Sequence, residues 1–254
     1  MSESLGKQTN PNSLVRGNSS QHWWFPGRWM GGASLLLAPL LMLTGVLLRI
    51  RFRFFFPQQL EAFAQRPNLI TASYSCFLAG NILLWPAILT LACRIGVARP
   101  RWAQWGASLC LFGLFGRTFH AGIDHLAFQL VRAEGPGAAT KFVAGSYGAF
   151  HIVSTLNGAI LAGWIVLAAG AYRAGVLGLF RSIALSMMAL LMLGALKGTS
   201  PTSVLAVAGL CIALVPLGVT VLRDPPAPTA RTILVRVLFA AAFLAALFWL
   251  GQRG

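Results

Sequence analysis

Acidic side chains are almost missing from this chain: five Asp and Glu stand beside twenty Lys and Arg in 254 residues. Charge of either sign is scarce, at 10% of residues, where soluble domains carry roughly a quarter. That excludes an ordinary water-soluble domain. The four cysteines form no CxxC pair and no Cys/His spacing suited to zinc. All four lie within or at the edge of apolar runs, so no disulfide framework is expected. Also missing are a phosphate-cradling Walker loop, a GxGxxG turn in a βαβ setting, an HExxH helix and a nucleophile elbow. Their absence removes the common signatures of nucleotide, zinc-protease and hydrolase chemistry. No internal repeat stands out.

What the chain has in abundance is hydrocarbon. Hydrophobic residues make up 57% of it, and the mean hydropathy is +0.71. Runs of about 20 apolar residues recur, each long enough to cross a ~30 Å hydrocarbon core. The pattern predicts an all-α, polytopic membrane bundle of about seven transmembrane helices. Their expected positions are 30–50, 69–93, 104–131, 144–171, 178–197, 202–222 and 232–250. Residues 1–22 are polar and read as a disordered tail, with 23–254 as one transmembrane domain. The apolar run beginning near Met30 is too long for a signal-peptide core, so the first span is expected to be retained. "KGTSPTS" breaks the fifth span from the sixth, and "RDPPAPTAR", 223–231, links the sixth to the last. Pro39, Pro86 and Pro216 are candidate kinks.

The formal charge of +15 would suggest a nucleic-acid partner in a soluble protein. Here the basic residues are scattered between apolar runs, which points to the lipid bilayer and its anionic headgroups and away from nucleic acid. They lean toward the segments that lie inside when the N-terminus is cytoplasmic, predicting an N-in, C-out protein of the cell membrane. Trp23, Trp24 and Trp29 precede the first span and Trp102 and Trp105 open the third, as in an interfacial aromatic belt.

One stretch breaks the apolar rule. "GRTFHAGIDHLAFQLV", 116–131, carries Arg117, His120, Asp124 and His125 inside a predicted span, and Asp124 is the single acid in any span. At about 100° per residue Arg117, His120 and Asp124 share a helical stripe, and His125 is rotated about 140° from His120. In the next span His151, Thr155, Gly158 and Ala162 form a second stripe with Ser154 beside it. Gly158 and Ala162 make a small-xxx-small pattern for close helix approach. The short outer loop expected at 132–143 makes these spans antiparallel neighbours and brings Asp124 and His151 to similar depth.

Ionisable groups at that depth cost about 2.5 kcal/mol or more and ordinarily face a bundle's interior. Arg117, His120, Asp124, His151 and Ser154 are therefore the candidate ligand-binding set, with Tyr147 as a supporting partner. Two chemistries fit. His120, Asp124 and His151 could hold a divalent metal as a two-His, one-carboxylate set. Alternatively, a metal-free pocket would use Arg117 for an anion and His and Asp for protons. A third reading makes Asp124 a brace that neutralises Arg117 or His125. His22 belongs with the interfacial aromatic segment. Arg49, Arg51 and Arg53, in "RIRFRFFFPQQ", read as arginines snorkelling to phosphate headgroups, with capture of an anion at the pocket mouth as the alternative. Lys197 reads as a snorkelling residue that could reach Asp124, and Asn81 and Asn157 as helix-bridging amides.

The functional expectation is a protein that binds or moves a small amphipathic or anionic ligand, in accessory transport or self-protection. The alternative is a membrane-embedded, possibly metal-dependent enzyme acting on a lipid-like substrate.

Overall fold

The structure is a computed structural model that describes residues 24–147, 152–191, 194–224 and 229–253. The tail 1–22 and His151 lie outside the described residues. Eight α-helices and no strand occur among them: α1 Arg28–Leu48, α2 Phe56–Gln65, α3 Pro67–Gly96, α4 Pro100–Ser146, α5 Leu156–Arg173, α6 Leu179–Ser186, α7 Pro201–Arg223 and α8 Ala230–Gly251. Proline occupies a first-turn position in α2, α3, α4 and α7, where its missing N–H costs nothing. Pro39, Pro86 and Pro216 instead lie inside continuous helices.

Five helical stretches among the described residues are long and apolar enough to cross a bilayer: α1, α3, Ile152–Arg173, α7 and α8. The expected span at 178–197 is not one helix. It is α6, a 3₁₀ turn at Met187–Leu190, and then non-helical chain at Leu191 and at 194–200. The expected span at 104–131 lies within the 47-residue α4, whose polar residues dilute its hydropathy. The stretch 132–143 is helical rather than a loop, broken only at Gly135, whose φ of 82° precedes Pro136. This break makes two limbs, and the second returns along the first far enough for Tyr147 to reach His120. The 49–68 connection likewise contains a helix, α2, whose Phe63 stacks on Phe128 of α4 at 4.5 Å.

Glycine contacts give the order of packing. Along α1 and α3, Gly45 lies against Ser73 and Phe77, Gly80 against Ala38 and Met42, and Gly31 against Thr90, so the two run antiparallel. In α4 and α5, Gly106 meets Leu167 and Gly113 meets Ile160, again antiparallel. Gly218 of α7 packs on Gly32 and Leu35 of α1. The close approach of α5 to α4 uses Gly163, against Cys110. Gly158 has nothing within 4 Å and Ala162 is exposed, so the small-residue contact lies on another face of α5 than expected. The core is built from Leu35, Met42, Leu84, Leu91, Leu114, Ile160, Trp164 and Leu210 between these helices.

At one end of the bundle Arg28 and Arg236 lie over Trp29, and Arg173 over Trp102. Arg94 and Asp224 make the one ion pair among the described residues at this end. No residue of α8 is buried, and its Arg236 lies over Trp29 of α1.

A methyl at Gly113 would sit 2.0 Å from Ile160 Cβ. Gly113→Ala should therefore cost about 1–3 kcal/mol through overpacking. Gly158→Ala, in open space on a helix, should gain roughly 0.5–1 kcal/mol. Reversible denaturation of both variants in detergent checks the pair, and equal effects would contradict the packing face.

Candidate anion-binding cavity

The buried stripe of α4 runs Ala103, Ala107, Cys110, Leu114, Arg117, His120, Asp124, Phe128 and Val131. Phe112, Phe115, Phe119 and Leu126 face outward on the same helix, so apolar residues alone do not choose the buried face. The stripe's polar residues are costly against lipid, and they turn this face inward. Arg117, His120 and Asp124 thus share one buried face and open on one cavity of about 250 Å³.

The cavity's other walls come from α1, α3 and the irregular chain before α7. Arg49 sits at the end of α1 and is only 5% exposed. Its guanidinium lies 4.5 Å from the Tyr74 ring centroid and 5.0 Å from that of Phe77. The snorkelling expected of Arg49 does not occur, because the α2–α3 region closes over it. Lys197 also turns to the cavity, with its ammonium 5.5 Å from the Phe54 ring. Arg132 and the exposed His125 complete the polar lining on α4, so His125 joins the cavity despite its rotation from His120. Phe54, Phe63, Phe77, Leu78 and Phe128 supply apolar wall. Asn81 lines it too and donates to Thr118 at 3.3 Å, tying α3 to α4.

Leu191 and residues 194–198 are non-helical, and their backbone groups need partners that a helix would have supplied internally. The α4 site residues provide them. The Leu196 N–H donates to Asp124 Oδ1 at 2.5 Å, and the Ala195 N–H to the Tyr147 hydroxyl at 3.0 Å. The Leu191 carbonyl accepts from Arg117 at 3.5 Å. The Tyr147 hydroxyl also shares a 2.8 Å hydrogen bond with His120 Nδ1. Leu196 has φ 53°, a left-handed conformation costing a bulky residue about 1–2 kcal/mol. Farther along, the Gly198 N–H donates to the Phe54 carbonyl and the Thr199 hydroxyl to the Val46 carbonyl. The Tyr74 hydroxyl ties the same chain to α2 through the Lys197 carbonyl and Gln59 Oε1, at 3.2 Å each. A Cβ at Gly198 would lie 2.7 Å from Phe54 Cα, so only glycine fits this approach.

Asp124 makes no salt bridge among the described residues, so it is not a brace ion-paired to Arg117 or His125. Charge on the cavity wall is unbalanced: Arg49, Arg117, Arg132 and Lys197 face Asp124 alone, an excess of three positive charges with His neutral. No cluster of three His, Cys, Asp or Glu suited to a metal occurs among the described residues. His120 and Asp124 are two members of the expected metal set, and the third, His151, lies outside those residues. Ser154 sits on the 3₁₀ turn Ile152–Thr155, half-buried, and is not part of the cavity wall.

Asn at position 124 keeps an oxygen for the Leu196 N–H, whereas Ala leaves that donor buried and unpaired. Asp124→Asn should therefore change stability by less than about 1 kcal/mol and Asp124→Ala cost roughly 1–3 kcal/mol. An ion-paired Asp124 would instead lose roughly 3–5 kcal/mol in the Asn variant as well. Chemical denaturation of the two proteins separates these outcomes.

Compared with known protein families, curated proteins and solved structures, the chain matches none.

Proposed function

We propose that this is a multi-pass protein of the cell membrane with a cytoplasmic N-terminus, and that its cavity binds or moves a small amphipathic anion. The observation that carries the reading is the charge imbalance: four cationic side chains and one carboxylate line a single cavity that also has a phenylalanine wall. Uncompensated charge in a low-dielectric setting is costly, and a bound anion removes that cost. The phenyl rings suit the apolar part of the same ligand. Besides the five long apolar helices, the first limb of α4 and the broken stretch 179–198 supply two further crossings, making seven. On this topology the cavity lies in the outer half, beside the C-terminal end of α1 and the beginning of α3 and α7. Non-helical backbone at membrane depth is tolerated where it is buried in protein or lines a cavity, as at Leu191, Gly194, Lys197 and Gly198.

A second reading, an enzyme acting on a lipid-like substrate, draws on the His120–Tyr147 hydrogen bond, which holds an imidazole in fixed orientation at the cavity. Turnover of an added lipid would distinguish it from binding alone.

Calorimetric titration of the protein in phosphatidylcholine nanodiscs tests the anion. Decyl sulfate should bind and decyltrimethylammonium should not. The affinity for decyl sulfate should fall with salt, and by at least about tenfold in Arg117→Ala. Equal binding of the two headgroups would refute the anion reading.

Topology is tested separately. A reporter inserted after Gly135 should report the outside and one inserted after Asp224 the cytoplasm. The reverse pattern would invert the orientation.

A further inference from the structure

Arg49 and Arg117 are the two arginines buried in the cavity wall, on different helices and with different supports. Arg49 is sandwiched by aromatic rings, which orient the plane of its guanidinium and leave its N–H edge to find acceptors. Its Nε and Nη1 are buried and have no hydrogen-bond acceptor among the described residues. Arg117 Nε is in the same condition, and the acceptor of its Nη2, the Leu191 carbonyl, is at the 3.5 Å limit. Three guanidinium nitrogens of one cavity are thus desolvated and unsatisfied. Buried donors to charged acceptors contribute most when paired and cost most when left unpaired. Asp124 accepts from the Leu196 N–H and acts on Arg49 through its charge, but among the described residues it makes no salt bridge to either arginine.

The missing acceptor can be described from these features. Donors on α1 and α4 line the same cavity, and a tetrahedral group with three terminal oxygens can accept from more directions than a planar carboxylate with two. Charge narrows it further. Against an excess of three positive charges, a monoanion leaves two uncompensated and a dianion leaves one. Planar forks from arginine are the donors best matched to phosphoryl oxygens.

We infer that the cavity is a seat for a phosphoryl dianion of the phosphate-monoester type, gripped by Arg49 and Arg117 with Lys197 and Arg132 completing its charge balance. This rests on the anion-binding reading above and sharpens it to one headgroup class. The phenylalanine wall beside the arginines suits a monoester carried on an alkyl chain, as in a lipid. Inorganic phosphate shares the same headgroup chemistry.

Sulfate and phosphate monoesters have the same shape and three terminal oxygens, so charge alone separates them. The test compares decyl phosphate, decyl sulfate and inorganic phosphate on the full chain in phosphatidylcholine nanodiscs, at pH 8 and pH 5. The second phosphate ionisation lies near pH 6, so decyl phosphate is a dianion at the first pH and a monoanion at the second. Decyl sulfate is a monoanion at both. It therefore reports any effect from titration of the protein groups around the site: His120, His125 and Asp124 on α4, with Tyr74 on α3. At pH 8 decyl phosphate should bind at least about tenfold tighter than decyl sulfate, and the advantage should vanish at pH 5. Arg49→Lys, which keeps the charge and loses the fork, should abolish most of the advantage while the protein's melting temperature in detergent stays near that of the parent. Inorganic phosphate binding as tightly as decyl phosphate supports the dianion with free phosphate as its source, and weaker binding supports it with a lipid source. Equal affinity for decyl phosphate and decyl sulfate at pH 8 would overturn the dianion while leaving an anion pocket. Binding of neither would overturn both. An Arg49→Lys protein that melts normally and keeps the full advantage would overturn Arg49 as part of the seat.

Discussion

The constraint on which the rest of the structure depends is the hydrogen-bonding demand of the non-helical chain at Leu191 and 194–198. A helix satisfies its own backbone, but a chain that leaves the helical path inside an apolar body must find each partner elsewhere. Asp124, Tyr147 and Arg117 meet that demand at Leu196, Ala195 and Leu191. The demand explains why a single carboxylate persists in an otherwise acid-poor interior, and why α4 doubles back at Gly135 to deliver Tyr147. Leu196 can hold its left-handed conformation because its own burial and the Asp124 hydrogen bond outweigh a cost of about 1–2 kcal/mol.

With Asp124 the one carboxylate on the described cavity wall, three of the four positive charges there have no counterpart, and the proposed function rests on that imbalance. Structure and site are coupled at the level of single atoms: Asp124 Oδ1 and the Tyr147 hydroxyl position the segment that brings Lys197 to the cavity. A ligand that drew on Asp124 or His120 would act on the backbone of 195–196 as well, which makes this segment the natural element to respond to binding.

The polar triad of α4 was legible because a period of 3.6 residues puts Arg117, His120 and Asp124 on the line that also holds Cys110, Leu114, Phe128 and Val131. Arg49 was not legible. Next to a helix end and within "RIRFRFFF", it has every local mark of a residue reaching for headgroups. Its burial comes from Tyr74 and Phe77, which are more than twenty residues away. Lys197 was hidden for a related reason. An apolar run from 178 to 197 reads as helix by composition, yet Leu191 and residues 194–197 are non-helical, with α4 side chains partnering the backbone at Leu191, Ala195 and Leu196. The helix α2 and the second limb of α4 were read as loops, since short amphipathic helices lack the long apolar runs that announce a span. Gly158 was assigned the close contact that Gly163 makes, because spacing alone does not say which of two small-residue faces meets the neighbour.

The sequence by itself determined that the chain is all-helical and rich in segments able to cross a bilayer, because hydropathy and length follow from composition without reference to any partner. It also determined which face of α4 turns inward, since periodicity is a property of one helix. Only the tertiary structure decided that Arg49 and Lys197 line one cavity with Arg117, that Asp124 accepts from a backbone amide, and that the apolar run at 178–197 leaves the helical path. Each of these depends on distant segments competing for the same hydrogen bonds and the same buried volume, and no local pattern encodes the outcome of that competition.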